Sequence, residues 1–267
     1  MSQQDFENFV VVVTGASTGL GRAIALETAR RGASDVVINF ARSAEEAEQT
    51  ADLVRAEGAR AFLVQGDVSR DEECKAIASA ASGLGRIDAL FNNAGVTKFA
   101  QNHADLDAVS AEDFLNLYAV NVVGAFQMIR AARSLLEAAP QPGAVVNTSS
   151  IAGVAGIGSS VPYAASKGAM NTLTLSLARA LAPKIRVNAI CPGFIDTPWF
   201  GKGMSEERVA RLREGSAAST PLKVASTADD VAAAAAFLAS RQSRHVTGET
   251  LLVDAGSHLG FAPLSMR

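Results

Sequence analysis

Short apolar runs alternate along the chain with longer segments whose apolar residues recur at helical spacing. Apolar runs without a polar face are typical of parallel strands buried on both sides, and the alternation with amphipathic helices indicates an α/β architecture. The pattern therefore predicts a doubly wound parallel sheet of about seven strands with helices on both faces. The predicted strands are VVVVT, DVVINF, AFLVQGDVS, RIDALFNNAG, GAVVNTSS, IRVNAICPG and ETLLVDAG.

The second half of the chain carries the longest predicted helices, over 111–139 and 162–182, with a shorter one over 228–240. Residues 194–221 are rich in Gly, Pro and Ser and are predicted to be irregular. No repeat, linker or block of like charges divides the chain, so residues 1–267 are expected to form a single domain.

A glycine-rich turn, TGASTGLG at 14–21, follows the first strand and admits two functions. Gly15, Gly19 and Gly21 at a helix N-terminus suit a loop that cradles a dinucleotide phosphate. The same letters, GASTG, fit the nucleophile elbow of a serine hydrolase built on Ser17. An elbow leaves Gly21 without a role, and the turn after the first strand is the usual place for a phosphate loop, so the cofactor function is favoured.

The composition and charge of the chain argue against several other classes of protein. A net charge of −3 disfavours nucleic acid as the main ligand, because phosphate backbones need clustered Lys and Arg. The apolar runs are too short to cross a bilayer, and the N-terminus lacks the pattern of a signal peptide. Two distant cysteines suggest reduced thiols and a cytoplasmic location, and the three histidines have no metal-ligand spacing, so no metal site is expected.

Three further stretches carry candidate chemistry. Tyr163 and Lys167 are four apart near the start of a predicted helix and so project from one face, where an ammonium can lower the pKa of a phenol. Ser150 ends a predicted strand at the sheet edge where such folds bind ligands. The turn NNAG at 92–95 ends another strand with small residues that leave room for a cofactor. Each motif alone is weak.

Together these motifs resemble, in order and spacing, the short-chain dehydrogenase/reductase family, over about residues 10–256. The resemblance implies a Rossmann fold and a nicotinamide-dependent oxidoreductase that interconverts a carbonyl and a secondary alcohol, near the 3-oxoacyl-carrier-protein reductases. It further implies a catalytic tetrad in which Tyr163 transfers the proton and Ser150 stabilises the substrate oxygen. Lys167 would lower the Tyr163 pKa and bind ribose, and Asn121 would hold a water molecule behind Lys167.

The resemblance also implies which residues bind the cofactor, with a substrate lid over about 194–221 that includes Trp199 and Phe200. Because the second strand ends in NFARS without a carboxylate, we expect NADP(H) in preference to NAD(H), with Arg42, Ser43 and Ser17 around the 2′-phosphate. The remaining expected cofactor residues are Gly15, Thr18, Gly19, Leu20, Gly21, Asp67, Val68, Asn93, Ala94, Gly95, Tyr163, Lys167, Pro192, Gly193, Ile195 and Thr197.

Other properties stay open at this stage. The resemblance implies a homotetramer in which the two long helices pair across two-fold axes, with VAAAAAFLA and LLVDAG supplying a second interface. The substrate is a small carbonyl or alcohol compound, free or bound to a carrier protein that Arg130, Arg133 and Arg179 could contact. The alternatives are the Ser17 hydrolase and a non-catalytic nucleotide sensor of the same fold, which the presence of both Tyr163 and Lys167 disfavours.

Overall fold

The computed structural model describes residues 4–197, 199 and 205–260. Its main feature is a seven-stranded parallel sheet, which confirms the predicted fold class. Each strand coincides with one of the apolar runs. The strands are β1 Val10–Val13, β2 Asp35–Phe40, β3 Arg60–Gln65, β4 Ala89–Asn92, β5 Gly143–Thr148, β6 Ile185–Pro192 and β9 Thr250–Val253, and β7 Ile195–Asp196 pairs with β8 Ser226–Thr227 outside the sheet. Their order across the sheet is β3-β2-β1-β4-β5-β6-β9.

Helices cover both faces of the sheet because each strand presents apolar side chains to both. In β1, Val11 and Val13 join the core on one face, whereas Val10 and Val12 join the core on the other. The helices are α1 Gly19–Arg30, α2 Ala44–Ala56, α3 Asp71–Ser79, α4 Ala111–Tyr118, α5 Ala125–Glu137, α6 Ala152–Ala155, α7 Val161–Leu181, α8 Glu206–Ser219 and α9 Ala228–Ala239. Within the described residues, none of them is long and apolar enough to cross a membrane.

The order of the strands in the sheet determines where the functional cleft lies. The chain runs outward from β1 to β2 and β3, then returns to the other side of β1 with β4. In open parallel sheets, ligands bind beyond the carboxyl ends of the strands at such a switch point. The loop after β1 and the turn after β4 lie side by side there, so the two glycine-rich motifs of the sequence meet at one edge.

Two predicted segments differ from the structure. The helix predicted over 111–139 is interrupted by a π-helical segment at Ala119–Gly124. Within this segment the side chain of Asn121 forms hydrogen bonds with the backbone of Val96. The irregular stretch predicted over 194–221 contains α8, whose first turn carries Glu206 and Glu207. That prediction was wrong because Gly, Pro and Ser at the ends of the stretch outweighed the helix-forming residues between them.

Candidate active site

The loop between β1 and α1 is shaped by its glycines. Gly15 and Gly19 have φ of +62° and +56°, a left-handed conformation that other residues adopt at a cost. Gly21 contributes through packing, since a Cβ there would lie 2.3 Å from the Gly15 carbonyl oxygen and 2.5 Å from Asn93 Nδ2. The loop therefore folds tightly onto the start of α1, whose first residues, Gly19 and Leu20, line the cleft. The first N–H groups of a helix have no partner within it and suit a phosphate.

The turn after β4 holds this loop in place. Asn93 Nδ2 donates hydrogen bonds to the carbonyl oxygens of Thr14 and Gly15, both at 3.1 Å. In return, the Thr14 hydroxyl accepts from the backbone N–H of Asn93 and of Ala94, each at 3.0 Å. The NNAG motif is thus a clamp for the glycine loop as well as a wall of the cleft.

A cleft of about 490 Å³ opens along the carboxyl edge of the sheet. All the residues expected to contact cofactor or substrate line it except Gly21, which packs beneath the loop, Asn121, which lies behind Val96, and Phe200, which is outside the described residues. Several lining residues were not predicted, because they lie beside the motif residues and carry no chemistry that singles them out: Asn39, Phe40, Ala41, Gly66, Val96, Val120, Thr148 and Ser149.

Ser150, Tyr163 and Lys167 converge at one end of this cleft. Ser150 follows β5, and its Oγ accepts a hydrogen bond from the backbone N–H of Ala152 at 3.1 Å, so it also caps the next turn. Tyr163 and Lys167 lie on α7, which begins after the N-cap Ser160 with a proline in its first turn. The Ser150 hydroxyl lies close enough to Tyr163 to lower the pKa of the phenol, and both side chains line the cleft. A phenol and a hydroxyl are therefore poised together to bind one substrate oxygen.

The short helix α6 and helix α7 touch through backbone. A Cβ at Gly153 would lie 2.4 Å from the Lys167 carbonyl carbon, closer than any side chain can approach. Ser149 Oγ donates to the Lys167 carbonyl oxygen at 3.0 Å, and Asn171 Nδ2 donates to the Gly153 carbonyl oxygen at 3.3 Å. These contacts fix the turn that carries Ser150 against the helix that carries Tyr163.

Burial controls the protonation of the two titratable groups. It lowers the pKa of Lys167 to about 8, and Lys167 Nζ donates to the Thr148 carbonyl oxygen at 2.7 Å. Burial also raises the pKa of Tyr163, against the smaller lowering effect of the Ser150 hydroxyl. Lys167 is expected to lower this pKa, but its Nζ lies 5.7 Å from the centre of the phenol ring, and burial is the dominant influence on the phenol. The phenol keeps its proton at neutral pH.

Asn121 is buried and acts on the wall of the cleft. Its Oδ1 accepts from the backbone N–H of Val96 at 2.8 Å, while its Nδ2 donates to the Val96 carbonyl oxygen at 3.0 Å and to Ser166 Oγ at 3.1 Å. It thereby ties the irregular segment that follows NNAG to helix α7.

The shape and chemistry of the cleft fit a nicotinamide dinucleotide. Gly15, Gly19 and Gly95 line the cleft. A Cβ at Gly15 would lie 2.9 Å from Ala94 Cα, so this glycine lets the loop pack against the NNAG turn, while a Cβ at Gly95 would lie 3.3 Å from Asn121 Oδ1 and 3.8 Å from Lys167 Nζ. The N-caps of α1 and α2, Thr18 and Ser43, use their hydroxyls in no capping hydrogen bond, so both helix ends are available to phosphate. Within the described residues no cluster of His, Cys, Asp and Glu could hold a metal ion.

Comparisons with known proteins assign the family. A family model described as Enoyl-(Acyl carrier protein) reductase matches residues 15–258. A ketoacyl reductase of the granaticin polyketide synthase from Streptomyces violaceoruber is 40% identical over 251 residues, covering 94% of this chain and 96% of that protein. The 3-oxoacyl-(acyl-carrier-protein) reductase FabG of Staphylococcus aureus is 34% identical over 250 residues, covering 93% and 97%.

A solved structure agrees with these relatives. A short-chain dehydrogenase/reductase from Burkholderia xenovorans superposes with a TM-score of 0.86 at 39% identity, covering 95% of this chain and 99% of that one. The chain belongs to the short-chain dehydrogenase/reductase family and is an oxidoreductase that acts on carbonyl or alcohol groups with a nicotinamide cofactor. This assignment selects the cofactor-loop function of TGASTGLG over the hydrolase alternative, and an enzyme over a nucleotide sensor.

Replacing Lys167 by Met is expected to stabilise the protein at neutral pH. The folded-state pKa of about 8 lies below the ordinary value of 10.5, so the unfolded chain binds more protons between these values and wild-type stability rises with pH across that window. Below pH 8 the full penalty of the buried charge is present. Lys167→Met should therefore raise the free energy of unfolding by about 1–3 kcal/mol at pH 7, and the gain should shrink towards pH ~10.

Urea unfolding of wild type and Lys167→Met at pH 7 and at pH ~10 measures this difference in the free energy of unfolding. The contributions of the other titrating groups are the same in both proteins and cancel. A variant no more stable than wild type at pH 7 would show that the buried ammonium carries no penalty.

Proposed function

We propose that the protein is an NADP(H)-dependent ketoreductase in which Tyr163 is the general acid and base. One observation carries the proposal: Tyr163, Ser150 and Lys167 converge at one end of a cleft whose far end presents Arg42 and Ser43. The reaction class follows from the family, and the role proposed for each residue follows from the chemistry of its side chain.

In the reductive direction, the Tyr163 hydroxyl donates a proton to the carbonyl oxygen of the substrate. Its raised pKa keeps the phenol protonated until the substrate oxygen becomes basic enough to take the proton. Ser150 donates a hydrogen bond to the same oxygen and stabilises the charge that develops there. When bound, the nicotinamide supplies or accepts the hydride, which is chemistry that the side chains cannot perform.

Lys167 and Asn121 have supporting roles in this proposal. The Lys167 ammonium would bind the ribose hydroxyls of the cofactor and stabilise the phenolate that remains after proton transfer. Asn121 would order a water molecule that connects Lys167 with solvent. The glycine loop, with Leu20, would hold the pyrophosphate. Asp67 and Val68 would contact the adenine, and Asn93–Gly95 the adjacent ribose. Residues of β6, β7 and their connection would hold the carboxamide: Pro192, Gly193, Ile195 and Thr197.

The adenosine end of the cleft supports NADP(H) as the cofactor. β2 ends in Phe40, and neither Glu45 nor Glu46, the first carboxylates after it, lines the cleft. Arg42 is exposed there and makes no ion pair among the described residues. A 2′-phosphate would meet a free guanidinium and the hydroxyls of Ser43 and Ser17 rather than a negative charge.

The relatives favour a 3-oxoacyl thioester as the substrate. FabG is named for 3-oxoacyl groups on acyl carrier protein, and the granaticin relative for ketoacyl reduction. For a carrier protein the structure gives less support, because Arg130 and Arg133 pair with Asp71 and Glu137. We therefore propose the acyl thioester, with or without its carrier. A cytoplasmic location and a lid over about 194–221, of which α8 forms the described helical part, remain predictions.

Tyr163→Phe should abolish most turnover while the cofactor still binds, because only the proton-donating hydroxyl is lost. We expect kcat for reduction of a short 3-oxoacyl thioester to fall by about 10²- to 10⁴-fold, with the Kd of NADPH unchanged within ~3-fold. The matched control is Tyr118→Phe, since Tyr118 is the only other tyrosine. Near-wild-type turnover by Tyr163→Phe would contradict the mechanism, and reduction of a 2-enoyl but not a 3-oxoacyl thioester would contradict the substrate.

Arg42→Ala should lower kcat/KM for NADPH by about 10- to 100-fold and leave that for NADH nearly unchanged, because one charge-assisted contact to phosphate disappears. Arg55→Ala is the control, since Arg55 is exposed on helix α2, which follows Arg42, and pairs within the described residues with Glu48 and Asp52. Steady-state kinetics with both cofactors tests this. A wild-type preference for NADH, or an unchanged preference in Arg42→Ala, would refute the NADP(H) assignment.

Exposed apolar side chains support the proposed homotetramer. Leu115, Phe126 and Leu175 on α4, α5 and α7 are 71%, 41% and 53% exposed, and Phe237 is 39% exposed on the alanine-rich α9. Such faces are typical of subunit interfaces. We expect light scattering at micromolar concentration to give the mass of four chains, and a monomer under those conditions would refute the assembly.

A further inference from the structure

The proposed 2′-phosphate site is built from two separate elements. Ser17 belongs to the glycine loop, whereas Arg42 and Ser43 belong to the connection into α2. A single phosphate can contact both sides only if loop and helix keep a fixed separation, because hydrogen bonds weaken steeply with distance and angle. The proposed site therefore requires a contact that holds the glycine loop against α2.

Arg22, in the first turns of α1, makes that connection. Its Nε donates to Thr50 Oγ1 at 2.8 Å and its Nη2 donates to the Glu46 carbonyl oxygen at 3.0 Å, both on α2. The same guanidinium donates to the Ser17 carbonyl oxygen, from Nη2 at 2.8 Å and from Nε at 3.2 Å. Thr50 Oγ1 itself lies 3.0 Å from the Ser17 oxygen. One planar side chain thus holds Ser17 against the first turns of α2.

The partners of Arg22 are all neutral. They are backbone carbonyl oxygens, the Thr50 hydroxyl and, at 3.5 Å, Gln49 Oε1, and Arg22 forms no ion pair within the described part of the chain. Its charge is therefore not neutralised locally and adds to the positive field behind Ser17. A lysine could not replace it, since an ammonium lacks the fork that reaches Ser17 and α2 at once.

The pyrophosphate side of the loop is held independently of Arg22. Asn39 Oδ1 accepts from the Gly15 backbone N–H at 3.2 Å, and the Asn39 carbonyl oxygen accepts from the Ala16 N–H at 2.8 Å. Asn39 Nδ2 donates to the Gly66 carbonyl oxygen at 2.9 Å, which ties this side to the end of β3. Loss of Arg22 should leave these bonds, and with them the part of the site common to both cofactors.

We propose that Arg22 is a positioning residue that sets the preference for NADP(H) by fixing Ser17 against α2. This inference rests on the proposed function, because it assigns to Arg22 the alignment of the 2′-phosphate site. Arg22 contacts no cofactor atom in this role; it acts through Ser17, Arg42 and Ser43.

The test uses the full-length protein with adenosine 2′,5′-bisphosphate and ADP as probes, by titration calorimetry. Arg22→Met should raise the Kd of the bisphosphate by about 10-fold or more and that of ADP by less than ~3-fold. In steady-state kinetics, KM for NADPH should rise while kcat and the NADH constants stay near wild type. Arg22→Lys should behave like Arg22→Met, because charge alone does not restore the alignment.

Two further variants guard against a purely structural effect. Thr50→Val keeps the volume of the side chain but removes the hydroxyl, so a smaller shift in the same direction is expected even if Arg22→Met folds poorly. Arg30→Met removes a different contact, the ion pair at 3.0 Å between Arg30, the last residue of α1, and Glu57, the C-cap residue of α2, and should change neither Kd.

The outcomes separate the two proposals. If wild type binds the bisphosphate no more tightly than ADP, the NADP(H) assignment itself is wrong. If wild type prefers the bisphosphate but Arg22→Met and Thr50→Val weaken both probes equally, or neither, only the role of Arg22 is overturned.

Discussion

The active site depends on the close contact between Gly153 and the backbone of Lys167. No side chain larger than hydrogen fits at Gly153, since a Cβ would lie 2.4 Å from the Lys167 carbonyl carbon and 2.6 Å from its oxygen. Through this contact α6, together with the turn after β5, packs closely against helix α7. Ser150 comes from the sheet edge and Tyr163 from the helix, so the two hydroxyls meet at one end of the cleft only while these two elements keep their positions. The proposed proton transfer therefore depends on a packing contact between backbones.

Burial at this site lowers the stability of the fold and also controls the protonation of Lys167 and Tyr163. Lys167 is held in a position where its charge is costly, with the Thr148 carbonyl oxygen as its protein partner. The same burial keeps the Tyr163 phenol protonated, which suits a proton donor for carbonyl reduction. At the other end of the cleft, Arg42 makes no ion pair among the described residues, and neither Glu45 nor Glu46 lines the cleft. In the proposed function, one end of the cleft therefore transfers the proton and the other selects the cofactor.

The sequence predicted the sheet well because the physics of parallel strands leaves a strong local pattern. Each apolar run became a strand, and the strand-end motifs converged because the carboxyl ends of parallel strands share one edge. Residues that act through tertiary contacts left no such pattern. Gly153 was one glycine among 22, and Arg22 reads as an ordinary surface residue of α1 until its bonds to Ser17 and α2 are seen. The π-helical segment likewise depends on Val96, far away in sequence, and the pKa of Tyr163 depends on burial that spacing cannot show.

The most direct test compares Gly153→Ala with Gly168→Ala, two glycines on opposite sides of the same contact. A Cβ at Gly168 would have its nearest neighbour, the Gly153 oxygen, at 3.6 Å, which is ordinary contact, whereas one at Gly153 would displace α6 from α7. We predict that Gly153→Ala lowers kcat by about 10²-fold or more with the Kd of NADPH nearly unchanged, while Gly168→Ala stays within ~3-fold of wild type. Near-wild-type turnover by Gly153→Ala would contradict the claim that this contact sets the catalytic geometry.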